Sequence, residues 1–187
     1  MPKLFMLLVG CKPAGRNTEQ HDVFFGIADS LKELVPAINK FWPAVANKFH
    51  LDGYREVNYV DGYNVTVEPA GSPQPAESEA KLFFLNLGGY KPGEFEEFHY
   101  KMIVAAPDKA AAVKASKKTA FYLHTGYKSA PSHIDDKYGI DVDDSYEIKD
   151  VLAQGFNDKY NIILKKASEP GKEDKIELGY FKISSLK

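Results

Sequence analysis

The sequence predicts an α+β fold made of two tandem ββαββ repeats, packed as a pseudo-twofold dimer within one chain and followed by a C-terminal β-hairpin. Three observations carry that expectation. Residues 81–106 repeat residues 3–28 at a gapless offset of 78, with Lys3/Lys81, Leu4/Leu82, Phe5/Phe83, Leu7/Leu85, Gly10/Gly88, Glu19/Glu97 and His21/His99 among the identities. A second offset, 83, lays His50-Leu51-Asp52 on His133-Ile134-Asp135 and Asp61-Gly62-Tyr63 on Asp144-Ser145-Tyr146. Between the two copies, residues 68–80 hold Pro69, Pro73 and Pro75 among small and polar residues, with no periodicity to bury, as a linker does. The organisation read from this is a first repeat over 1–67, the linker, a second repeat over 81–150, and a hairpin extension over 151–187. A half of this size buries only about 60% of its unfolded surface, so a shared core is expected.

Each element has a local cause. Leu4 to Val9 is a continuous apolar run closed by Gly10, the length and flank of a buried strand. His21 to Ala28, rich in aromatic and β-branched residues, is its antiparallel partner across a polar loop. Ser30 with Glu33 three residues on forms a capping box, and Leu31, Leu34, Val35, Ile38, Phe41 and Trp42 follow at helical spacing. Pro36 kinks that helix or begins it, and Pro43 ends it. Arg55–Val60 and Tyr63–Val67 flank Asp61-Gly62, a two-residue hairpin signal because both central positions need positive φ. The second copy repeats the order: strands over 81–87 and 97–106, a helix capped by Asp108 and running to about Tyr122, then a hairpin around Asp144-Ser145. Residues 124–132 are an insertion with no counterpart in the first copy, and Tyr160–Lys166 and Lys175–Ile183 form the closing hairpin around Pro170-Gly171.

Composition excludes several functions. A formal charge of −2, with no long run of one sign, offers no footprint for nucleic acid or anionic lipid. The single cysteine, Cys11, rules out an intramolecular disulfide or a multi-cysteine zinc site and fits a cytoplasmic setting. Leu8-Val9-Gly10-Cys11 resembles a lipoprotein cleavage box, but the apolar part, Leu4 to Val9, is only six residues, short for a signal, and the same segment recurs inside the chain. No membrane partner is expected.

Long strings in the chain, namely Arg16 to Ala28, Phe41-Trp42-Pro43, Lys81 to Lys101 and Pro131 to Asp144, resemble the bacterial family called Domain of Unknown Function 1543. The likeness covers about residues 3–150. It implies a domain present here in two copies, in a family with no assigned activity, substrate or catalytic residues, so it adds no site.

Histidines and carboxylates give the candidate chemistry. Glu19-x-His21 and Glu97-x-His99 place each acid and imidazole on one face of a strand, and His50-x-Asp52 and His133-x-Asp135 do the same. Two imidazoles and two carboxylates per unit are a workable ligand set for zinc or iron, or a general acid/base pair. The plainer reading is a set of structural histidines bonded to carboxylates. The acids Asp135, Asp136, Asp141, Asp143 and Asp144 do not fit the order of a calcium-binding EF-hand. Gly10-x-x-x-x-Gly15 leads into a strand, unlike a phosphate loop. The sequence therefore reads as a small soluble binding or interaction module for an unknown small molecule or protein. The alternative is a metal-dependent hydrolase or lyase, with Glu97, His99, His133 and Asp135 as catalytic residues. Cofactor and metal are left open.

Overall fold

A computed structural model describes residues 1–73, 78–90, 93–118 and 140–187. The chain divides into two compact units, one of residues 1–78 with 151–187 and one of residues 79–150. Both are mixtures of antiparallel sheet and short helix, as the composition of motifs predicts. None of the described helices is long and apolar enough to cross a membrane.

In the first unit, β1 (Lys3–Cys11) and β2 (Gln20–Ala28) form the expected antiparallel hairpin. β3 (His50–Glu56) pairs with the other edge of β1. Odd-numbered Phe5, Leu7, Val9 and Cys11 face a core shared with Phe24, Leu34, Ile38, Val45, Phe49 and Leu51. The helical segment opens as a 3₁₀ turn, Leu31–Leu34, and becomes α1 (Val35–Phe41) with Pro36 in the first turn, where its missing N–H removes no bond. Glu33 reaches back to the Asp29 N–H at 3.4 Å, one residue earlier than a capping box on Ser30 predicts. β4 (Tyr59–Val60) and β5 (Tyr63–Pro69) flank the Asp61-Gly62 turn, whose φ values of 47° and 86° are those the sequence called for.

The tail corrects the expected C-terminal hairpin. The sixth to eighth strands belong to the second unit, so the tail strands are β9 (Tyr160–Lys166) and β10 (Ile176–Lys182), and they do not pair with each other. β9 adds to β5 to make a sheet of order β4-β5-β9, and β10 adds to β3 to make one of order β10-β3-β1-β2. Both arms of the Asp61-Gly62 hairpin, β4 and β5, thus lie in one sheet, while β3, just before them, lies in the other. β5 and β3 would each have an open ladder edge, and a tail strand satisfies it. Leu186 joins the core of this unit, and Asp174 ties the tail to the bend before β4.

The second unit is a three-stranded sheet of order β7-β6-β8, from β6 (Lys81–Tyr90), β7 (Glu97–Ala106) and β8 (Ile140–Glu147). α2 (Lys109–Ser116) starts at Asp108, whose carboxylate accepts the Ala111 N–H at 2.8 Å. Phe83, Leu85, Val104, Ala106 and Ala112 form its core. The hairpin expected at Asp144-Ser145 is not there: both residues lie inside β8, opposite Asn86 and Leu85, and the chain goes on into a helical turn, α3 (Ile148–Val151). α2 ends at Ser116, capped by Lys117, short of the Tyr122 expected from the sequence; the expected insertion over 124–132, His133 and Asp135 lie outside the described residues.

Candidate metal centre

Gly10 is the floor of the site in the first unit. On the central strand β1 it stands opposite His21 of β2 on one side and His50 of β3 on the other. Residues directly opposite in an antiparallel ladder point to the same face, so the two imidazoles rise from either side of a position that has no side chain. Glu19 lies two residues before His21. Asp52 arrives by a different route: Val9 pairs with Leu51 and Leu8 with Gly53, leaving Asp52 as the extra residue of a bulge. A Cβ added at Gly10 would collide with Asp52 Oδ2 and lie 2.6 Å from His50 Nε2, so only glycine leaves room for this cluster.

The four side chains close a ring. His21 Nε2 is 3.0 Å from Asp52 Oδ2 and 3.8 Å from Glu19 Oε2. His50 Nε2 is 3.2 Å from both Asp52 Oδ1 and Glu19 Oε1. Those distances alone would suit charge-assisted hydrogen bonds, the structural role weighed from the sequence. The directions do not: His50 Nε2 and Asp52 Oδ2 are buried and have no hydrogen-bond partner. The imidazole nitrogen of His50 lies near two carboxylates without a hydrogen bond to either. His50 is 5% exposed, whereas the side chains of Glu19 and His21 keep about two-fifths of their surface, so the ring opens to solvent on one side. Tyr180 of β10 stacks on His50, centroids 4.1 Å apart and planes 31° off parallel. It reaches there because β10 also bulges, between Leu178 and Phe181.

The second unit repeats this pattern with fewer donors among the described residues. Gly88 of β6 stands opposite His99 of β7, and Glu97 lies two residues before it. β8 bulges between the positions paired with Asn86 and Leu87, which leaves Asp143 as its extra residue. A Cβ at Gly88 would strike the Asp143 carboxylate, as one at Gly10 would strike Asp52. His99 Nε2 lies 3.3 Å from Asp143 Oδ2 and 3.8 Å from Glu97 Oε2, and one donor atom from each of the three falls within 4.8 Å of the others. By strand register, the position of Asp52 is held by Asp143, a shift of 91 residues. The same shift takes Glu56, the partner of Lys3, to Glu147, the partner of Lys81.

Of the four residues singled out in the second copy, Glu97 and His99 are therefore together, while His133 and Asp135 lie outside the described residues. Sequence reasoning missed Asp143, Tyr180 and the two glycine floors as parts of a site. The Gly10/Gly88 identity was visible and was a usable signal. The bulges were not.

The family described as Domain of Unknown Function (DUF1543) matches residues 16–67, the span holding Glu19, His21, His50 and Asp52, which supports the resemblance seen in the sequence. A search of curated proteins found no match. Among solved structures the chain is similar to the crystal structure of a protein, Il1583, from Idiomarina loihiensis, with a TM-score of 0.63 and 22% identity over 98% of both chains. At that identity the likeness speaks for the fold alone.

Proposed function

We propose that this chain is a small metal-binding module built from two tandem copies of the DUF1543 plan, and that Glu19, His21, His50 and Asp52 of the first copy hold one divalent transition ion. The observation that carries the reading is the buried His50 Nε2, which has no hydrogen bond although two carboxylate oxygens lie 3.2 Å away. Leaving such an atom unsatisfied costs about 1–3 kcal/mol, a cost that a metal on its lone pair removes. Nitrogen and oxygen ligands sit about 2.0–2.2 Å from zinc, so the edges of a tetrahedral site are roughly 3.3–3.5 Å. The separations of 3.0–3.8 Å around the ring are of that order, with each carboxylate turning one oxygen to His21 and the other to His50, so each would settle on one oxygen in a tetrahedral site. Two imidazoles with carboxylates suit zinc, and also iron(II) or manganese(II) if solvent completes the coordination.

The duplicate origin of the two units is part of the same proposal. It is supported by the shared glycine floor, the shared bulge and the corresponding Lys–Glu pairs, and the pseudo-twofold packing expected from the sequence goes with it. A cytoplasmic setting is supported by the single, unpaired Cys11. Among the described residues no observation favours the catalytic alternative. The test is equilibrium titration of metal-stripped protein with Zn²⁺ against a chromophoric chelator. His50→Ala with Asp52→Ala should take up one ion fewer per chain than the parent. Equal uptake by parent and variant overturns the assignment.

A further inference from the structure

We propose that the second unit carries its own metal centre at Glu97, His99 and Asp143, weaker than the first and open to exogenous ligands. Its residues are distinct from those of the first centre, so it stands or falls separately. The three donors come from β7 and from the bulge of β8, and converge within 4.8 Å over Gly88. A glycine there has a defined consequence, since any side chain at 88 would displace the Asp143 carboxylate. One imidazole and two carboxylates make three protein donors, which leave at least one coordination position open on a divalent ion, in contrast to a four-donor tetrahedral site.

The difference between the units lies opposite the glycine. His50 faces Gly10, whereas Asp141 occupies the corresponding register position opposite Gly88. At that register position the second unit thus has an aspartate where the first has the imidazole that supplies its buried nitrogen donor. Side chains of His99 and Glu97 are each about one-third exposed, so solvent or a small anionic ligand can complete the coordination. Loss of one direct protein ligand should weaken binding at least as much as loss of an outer-shell partner, about tenfold or more.

Full-length protein titrated with Zn²⁺ and, in parallel, Co²⁺ tests this. The parent should take up two ions per chain with affinities at least about tenfold apart. Co²⁺ should give an intense visible band for the tight tetrahedral ion and only a weak one for the second, solvent-completed ion. In His50→Ala/Asp52→Ala the tight ion should vanish and the weak one remain. In His99→Ala/Asp143→Ala the reverse should hold, with His99→Gln and Asp143→Asn as milder substitutes if the alanine variant fails to fold by circular dichroism. Parent protein that binds one ion, lost on substitution of His50 and Asp52 and unaffected by substitution of His99 and Asp143, overturns the second centre and leaves the first standing. One ion lost only with His99 and Asp143 does the opposite.

Discussion

Replacing Gly10 by alanine tests the first centre without altering any ligand. An alanine Cβ would lie 2.6 Å from His50 Nε2 and 3.1 Å from His21 Cδ2, and closer still to Asp52 Oδ2. To regain an ordinary van der Waals separation of about 3.4 Å, His50 Nε2 would have to retreat by about 0.8 Å and Asp52 by more. Metal–ligand distances tolerate about ±0.2 Å, so two of the four donors would leave coordinating range. We expect Gly10→Ala to weaken binding at the first centre by at least about 100-fold, equivalent to roughly 2.7 kcal/mol. Because the crowded groups lie on the face of β1 opposite the core residues Phe5, Leu7, Val9 and Cys11, the fold should survive, with a loss within the about 1–3 kcal/mol typical of overpacking. Competition titration for affinity and urea unfolding of the metal-free protein measure the two quantities independently. Undiminished affinity in a folded Gly10→Ala protein would refute the glycine-floor argument, and with it the geometry assigned to the cup.

Two further outcomes follow from other parts of the structure. Asp174 Oδ2 accepts from Arg55 Nε and Nη2 and from the Asn58 and Tyr59 N–H groups, all within 3.1 Å, and its side chain is only 5% exposed. Asp174→Ala should therefore destabilise the first unit by about 3–5 kcal/mol, read by chemical denaturation, because Arg55 would be left as a partly buried cation without its counter-charge. Metal binding should weaken with acidification, because protons compete with the ion for imidazole and carboxylate alike; chelator competition between pH 7.5 and 5.5 should show falling affinity, and a flat profile would contradict histidine ligation.

Much of the fold is legible in local sequence. β1 and β2 announce themselves by an apolar run, a glycine and an aromatic-rich partner, and Asp61-Gly62 forces its own turn. The pairings of β3 with β10 and of β5 with β9 are not legible, since they join segments about 100 residues or more apart and no local pattern names the partner. The segment around Pro170-Gly171 looks like a hairpin because its two flanks are both strand-like, and strand-like flanks do not say whether they pair with each other. The site divides in the same way. Glu19 with His21 and Glu97 with His99 follow from the period of two along a strand. Asp143 and Tyr180 do not, because a bulge inserts one residue and puts every later side chain out of phase with that period. Matching Asp61 to Asp144 at an offset of 83 put a turn in the middle of β8, because strand register relates the two copies there by 91 residues.

The first unit is discontinuous in sequence, whereas the second is a single stretch, residues 79–150. As the polypeptide leaves the ribosome, that central stretch can collapse as soon as it is out, but the earlier one cannot finish. Two of its sheets lack an outer strand, and His50 lacks the ring that stacks on it, until residues 160–182 emerge. Growth of the chain thus leaves the amino-terminal half waiting longest with unpaired edges, the period in which a helper protein or an early supply of ion has most effect.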